Sequence, residues 1–181
     1  MLKLENVTKV YTTRAEKIAA LDAVSLHVEP GEMVVVRGPS GCGKTTLLLA
    51  AGGLLSPTSG SVEIAGRRPY ELTPARRAAL RAEAVGFVFQ QFYLVPYLTV
   101  RENVLAPTLT GTGADGAESR ADALLAKIGI ADRADHLPSE ISTGQRQRTA
   151  LARALLNDPA VVIADEPTGN LDGENGRAVM E

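Results

Sequence analysis

Four positions in Gly38-Pro39-Ser40-Gly41-Cys42-Gly43-Lys44-Thr45-Thr46 follow the pattern Gly-x-x-x-x-Gly-Lys-Thr. That pattern suits the capture of phosphate. Glycines let successive backbone N–H groups turn inward around an anion, where side chains would clash. A helix that starts at the end of the loop adds its dipole. Lys44 supplies charge to the outer phosphates, and the Thr45 hydroxyl suits Mg²⁺. A second pattern lies far along the chain, in Val161-Val162-Ile163-Ala164-Asp165-Glu166. Its apolar run reads as a buried strand that delivers two carboxylates to its C-terminal edge, where open α/β sheets bind ligands. Asp165 is the expected Mg²⁺ ligand, through water, because Mg²⁺ keeps several waters. Glu166 is placed to polarise a water attacking the γ-phosphate of a nucleotide.

These residues need elements to hold them. Leu2 and Leu4, and Val24 to Val28, alternate apolar with polar residues and predict half-buried strands. Pro30-Gly31 predicts a turn. Met33 to Val36 is a short continuous apolar run, which predicts a strand covered on both faces just before the glycine loop. The loop then leads into an apolar helix over Leu47 to Ala51, stopped by Gly52-Gly53. Val62 to Ala65 predicts a strand. Thr73-Pro74 predicts an N-cap and first-turn proline for a helix to Ala82. Val85 to Phe89 predicts a strand, and Thr99 to Leu105 a helix. Gly111 to Gly116 reads as a loop before a helix over Ala117 to Lys127. Ser142 predicts the N-cap of a helix to about Leu156. Strands alternating with helices predict an α/β fold with a mainly parallel central sheet.

Composition excludes several classes. One ordinary domain fits the 181 residues, and a net charge of −2 gives no overall pull toward nucleic acid or anionic lipid. Tryptophan is absent and aromatics are few, against a stacking surface for single strands. Cys42 is the single cysteine, so no intrachain disulfide forms and a reducing compartment fits. No apolar run approaches the ~18 to 20 residues of a membrane span, and the N-terminus does not read as a signal peptide. The expectation is a cytosolic protein that reaches a membrane only through a partner.

A third motif narrows the class. Ile141-Ser142-Thr143-Gly144-Gln145-Arg146-Gln147-Arg148 resembles the signature of ABC ATPases, whose usual core is Leu-Ser-Gly-Gly-Gln. With the two motifs above, the resemblance runs from near residue 1 to the end. It implies that Tyr11 stacks on adenine, that Gln90 is the Q-loop glutamine touching Mg²⁺ and the catalytic water, and that Asn170-Leu171-Asp172 is the D-loop. It also implies that Ser142, Thr143, Gly144 and Gln145 face the nucleotide held by a second copy of the subunit. ATP then becomes part of a head-to-tail dimer interface, closed by binding and opened by hydrolysis. The implied fold is a P-loop (RecA-like) core, residues 1–91 and 158–181, with an N-terminal antiparallel β layer and a helical subdomain over 92–157.

The implied activity is ATP hydrolysis that drives a separate transmembrane permease, with the subunit on the cytoplasmic face of the membrane. The stretch Gly86-Phe87-Val88-Phe89-Gln90, with Pro96-Tyr97-Leu98-Thr99-Val100-Arg101-Glu102-Asn103-Val104, resembles the lipoprotein-release and macrolide-export branch. An alternative is an ATP-dependent scaffold that tethers a membrane complex without transport. Two departures stand out: Ile141 for Leu, and Thr143 for the first signature glycine. A residue with negative φ is acceptable at a helix N-terminus, so Thr143 is expected to be tolerated, and its hydroxyl is a possible extra donor toward phosphate. The chain stops at Glu181, before the strand and switch histidine that the family carries. His27 and His136 both precede Asp165 and match neither. The expectation is a C-terminally truncated cassette with weak turnover by itself.

Three further features are open to two readings each. Phe92 to Tyr97 reads either as a groove for a permease helix or as an ordinary core loop. Arg67, Arg68, Arg76, Arg77 and Arg81 read as a solvated basic face or as a contact for headgroups or permease. Cys42, beside Lys44 at a helix N-terminus, reads as a passenger thiol or a redox-sensitive one.

Overall fold

The structure, a computed structural model, describes residues 2–13, 16–110 and 115–166. The chain divides into two compact units, Met1–Ala84 and Val85–Glu181. The D-loop residues and the helix expected from Gly173 lie outside the described residues, as does most of the loop over Gly111 to Gly116.

In the first unit, β1 (Leu2–Thr12) pairs antiparallel with β2 (Lys17–Val28) on one side and β3 (Ser59–Ile64) on the other. The alternation seen in sequence has its cause here. Leu2 pairs with Val28 and Ile64, and Leu4 with Leu26 and Val62, so one face of the sheet is apolar. Leu2, Leu4, Val7, Val62 and Ile64 are buried on it, and α1 (Lys44–Ala51) packs there with buried Leu47, Ala50 and Ala51. The β1–β2 ladder slips at Asn6 and Ala23, both at positive φ. Side-chain oxygens replace the missing ladder partners: Asn6 N–H donates to Ser25 Oγ at 2.9 Å, and Ala23 N–H to Thr8 Oγ1 at 3.0 Å. The helix α2 (Pro74–Ala84) begins where Thr73-Pro74 predicts.

The second unit contains β4 (Val85–Val88) and β5 (Val161–Ala164), paired in parallel with Val85 opposite Val161 and Val88 opposite Ala164. Helices α3 (Val100–Leu105), α4 (Ala117–Lys127) and α5 (Thr143–Leu155) enclose a core of Val100, Val104, Ala121, Leu125, Ile130, Ala152 and Leu156. α5 lies close to β4, and Gly86 permits it. A Cβ at Gly86 would stand 2.4 Å from the Ala154 carbonyl oxygen.

One expected element is not formed. Met33 to Val36 makes no ladder with any described residue, and Met33 is 72% exposed rather than covered. An apolar run states that burial is favourable. It becomes a strand only where another strand supplies the partners for its N–H and C=O groups. The glycine loop is therefore entered from an irregular segment, not from a strand. The parallel part of the sheet has two strands among the described residues.

Candidate functional site

The glycine loop is built from its own residues. Gly41 and Gly43 lie at positive φ, +78° and +94°. Gly43 is also the N-cap of α1, and a Cβ there would sit 2.2 Å from the Ala20 carbonyl oxygen, so both backbone angle and strand contact demand glycine. No side chain caps the N-terminus of α1, and no acid lies in its first turn. The first N–H groups of that helix and its positive dipole end thus suit an anion, with no carboxylate of the same turn to compete. Lys44 Nζ donates to the Gly38 and Pro39 carbonyl oxygens, each at 2.9 Å, which folds its charge into the loop. Cys42 is an exposed free thiol, and its Sγ is 2.7 Å from where a Gly38 Cβ would stand. Pro39, Ser40, Thr45 and Thr46 complete the stretch. Tyr11, at the end of β1, is 41% exposed, with Lys9 Nζ 5.5 Å from its ring centre.

In the second unit the structure brings Gln90 and Glu166 together across 76 positions of sequence. Gln90 Nε2 donates to Glu166 Oε2 at 3.0 Å. β5 supplies one side of this pair: Asp165 N–H donates to the Val88 carbonyl at 2.9 Å, which extends the parallel ladder one residue and leaves Glu166 just past the strand end. Gln90 stands in a tight turn closed by Phe92 N–H on the Phe89 carbonyl at 2.9 Å. Phe92 and Tyr93 follow at positive φ, +59° and +45°.

Each residue expected at Mg²⁺ carries an oxygen donor that suits it. Thr45 offers a hydroxyl, Asp165 a carboxylate, and Gln90, with Nε2 on Glu166, its amide oxygen. All are hard oxygen ligands, and Mg²⁺ takes only one or two from protein, the rest from water and phosphate.

The signature residues open α5. Ser142 Oγ accepts from Gln145 N–H at 3.2 Å, and Gln145 Oε1 accepts from Ser142 N–H at 2.8 Å, a reciprocal cap. Thr143 is the first helical residue, with no positive φ, so the glycine of the usual motif is not needed for the turn. Its Oγ1 accepts from Arg146 at 3.0 Å. Gly144 follows in the first turn.

Two polar residues that hold this part of the structure, Asn103 and Arg153, escaped the sequence reading. Asn103 is fully buried. Its Oδ1 accepts from Val95 N–H at 2.7 Å, and its Nδ2 lies 2.9 to 3.1 Å from the carbonyls of Val95, Leu98 and Thr99. A signal existed: Val100, Asn103 and Val104 share one helical face, which puts an amide on an apolar stripe. Arg153, on α5, donates to the carbonyls of Tyr93 at 2.7 Å and Phe92 at 2.5 Å. Burial pulls its guanidinium below the ordinary arginine range. Nothing in the sequence connects positions 60 apart. Three arginines of the first unit's cluster are engaged internally: Arg67 forks onto Glu83 at 2.9 and 3.0 Å, Arg68 meets Glu71, and Arg81 donates to the Gly53 carbonyl.

Comparison with known proteins places the chain. Residues 21–169 match the family model described as ABC transporter. The lipoprotein-releasing system ATP-binding protein LolD 1 of Rhodopirellula baltica is 47% identical over 182 residues, covering 100% of this chain and 80% of that protein. The macrolide export ATP-binding/permease protein MacB of Burkholderia pseudomallei is 44% identical over 99% of this chain, which spans 28% of MacB. Among solved structures, a dimeric post-hydrolysis state of the ATP-binding cassette MJ0796, bound to ADP and Pi, superposes with a TM-score of 0.90. It is 41% identical, covering 99% of this chain and 80% of that one.

Proposed function

This chain belongs to the ABC transporter ATP-binding family, and from that premise we propose how its residues share the work of ATP hydrolysis. The fold is the α/β cassette fold. The activity is hydrolysis of ATP to ADP and phosphate, coupled to a transmembrane component, with cassettes acting in pairs. No helix among the described residues is long and apolar enough to cross a membrane. The cytoplasmic face is the side the proposal assigns, and lipoprotein release or export is the type of transport.

In this reading Gly38 to Thr46 cradle the phosphates and Tyr11 stacks on adenine. Thr45, Asp165 and Gln90 would hold Mg²⁺, which would supply neutralisation of phosphate charge. Ser142, Thr143, Gly144 and Gln145 face the nucleotide of the second copy. Tyr93, 61% exposed, and Tyr97, 79% exposed, belong to the surface offered to the transmembrane component. The observation that carries the catalytic reading is the 3.0 Å bond between Gln90 and Glu166 at the end of β5. Glu166 needs an orienting partner to act on a water, and Gln90 is one that cannot itself take its proton.

The test is Glu166→Gln. The amide keeps the shape and cannot accept a proton, so turnover should fall at least about 100-fold while ATP binding persists. ATP with Mg²⁺ should then hold the variant as a nucleotide-bound dimer on a sizing column. Wild-type turnover by the variant removes Glu166 from the role of base.

A further inference from the structure

We propose that Arg153 is a positioning residue for Gln90, clamping the turn that carries it to helix α5. The proposal rests on the reading of Gln90 given above and extends it to a residue eleven positions past Ser142 on the same helix.

The geometry is specific. Gln90 occupies a central position of the turn closed by Phe92 N–H on the Phe89 carbonyl, and a second bond, Tyr93 N–H on the Gln91 carbonyl at 2.6 Å, tightens it. Phe92 and Tyr93 then run in the left-handed region, where bulky side chains crowd the backbone. Neither is glycine, so the conformation persists only if its surroundings over-determine it. Arg153 does that. Its planar fork meets two consecutive carbonyls, Phe92 at 2.5 Å and Tyr93 at 2.7 Å, the two residues held at positive φ.

The arginine is spent on this contact. It sits between buried Ala152 and Ala154 on α5, and burial pulls its guanidinium below the ordinary range. Among the described residues no carboxylate forms an ion pair with it; backbone carbonyls take its charge. The Phe89 ring packs edge-on to Tyr93 at 5.2 Å and stacks on Phe87 of β4, so the turn is held to the sheet on one side and to α5 on the other. Freeing the arginine end would let Phe92 and Tyr93 relax, and the turn two residues back would lose its orientation. Gln90 would then leave Glu166.

The experiment is a double-mutant cycle on the assembled transporter, read as kcat and KM for ATP. Arg153→Met, close in length but without donors, should lower kcat about 10- to 100-fold, the scale of a misplaced catalytic contact, with KM for ATP held within about 2-fold because the glycine loop is untouched. Arg153→Lys, able to reach one carbonyl, should fall between. In a Gln90→Ala background Arg153→Met should cost no more than Gln90→Ala alone, since one acts through the other. If Arg153→Met fails to give a cooperative melt, Arg153→Lys carries the same cycle. Losses that multiply in the Gln90→Ala background, or Arg153 variants that keep wild-type kcat, overturn the proposal while leaving Gln90 in its role. A Gln90→Ala variant with wild-type kcat overturns the reading of Gln90 itself.

Discussion

The glycine loop of the first unit and the Gln90 turn of the second hold their functional residues by opposite means. The loop is local. Its shape follows from Gly41 and Gly43 at positive φ, from the N-terminus of the helix that follows, and from Lys44 bonded to carbonyls five and six positions back. The Gln90 turn is imposed from a distance. Arg153 reaches it from 60 positions away, Glu166 from 76, and Asn103 fixes the segment that continues from it. Local rigidity suits the capture of a phosphate chain. A turn held by tertiary contacts moves whenever those contacts move, which suits a residue that must sense a helix or a partner.

If that contrast holds, substitutions in the two regions should separate. The largest effect belongs to Gly43→Ala. It forces a Cβ to 2.2 Å from the Ala20 carbonyl and demands φ near +94°. Stability should fall by at least about 3 kcal/mol, seen as a drop in the melting midpoint, with nucleotide binding lost as well. Near-normal stability would mean that the loop tolerates a different path, and is less locally fixed than argued.

Lys44→Ala should act on the ligand alone. Removing the charge should weaken ATP binding about 100-fold, or about 2.7 kcal/mol, while the melting midpoint without nucleotide shifts little. Nucleotide titration and a thermal melt of the same sample check both halves. Retained micromolar affinity would end the phosphate-loop assignment.

Asn103→Ala should show the reverse pattern. Four backbone groups around residues 95 to 99 lose their buried partner, at a cost of about 2 to 3 kcal/mol in stability. ATP affinity should stay within a few-fold. If nucleotide binding falls as far as stability does, the two regions are not separable and the contrast fails.

Tyr70→Phe is the smallest and probes the far end of α1. The hydroxyl lies 2.7 Å from the carbonyls of Ala50 and Leu55, just past the helix. Its loss should cost about 1 kcal/mol. The sign with pH follows from burial, which pushes the phenol up to about 12 from an ordinary 10.0. The folded state keeps the proton longer than the unfolded one, so the contribution is full below pH about 10 and fades as pH rises toward 12. Alkaline melts of wild type should lose that increment, and those of Tyr70→Phe should not.

How much of this was legible beforehand differs by element for the same reason. α4 and β5 fall where their patterns predict, at Ala117–Lys127 and Val161–Ala164, and Ser142 caps α5 as its spacing requires. Each depends on periodicity or on a cap three residues away. The strand expected over Met33–Val36 depends on a partner the run does not encode, and no described residue supplies one. The same division runs through the candidate site. The glycine loop, the acidic pair after β5 and the signature are written in consecutive residues, because backbone angles, helix dipoles and strand ends are set within a few positions. The family followed from those motifs together. The contact of Gln90 with Glu166 and the clamp of Arg153 on Phe92 and Tyr93 were decided only by the fold. They join residues whose separation in sequence carries no signal: the parallel pairing of β5 with β4 brings Glu166 to Gln90, and the packing of α5 on β4, permitted by Gly86, brings Arg153 to Phe92 and Tyr93.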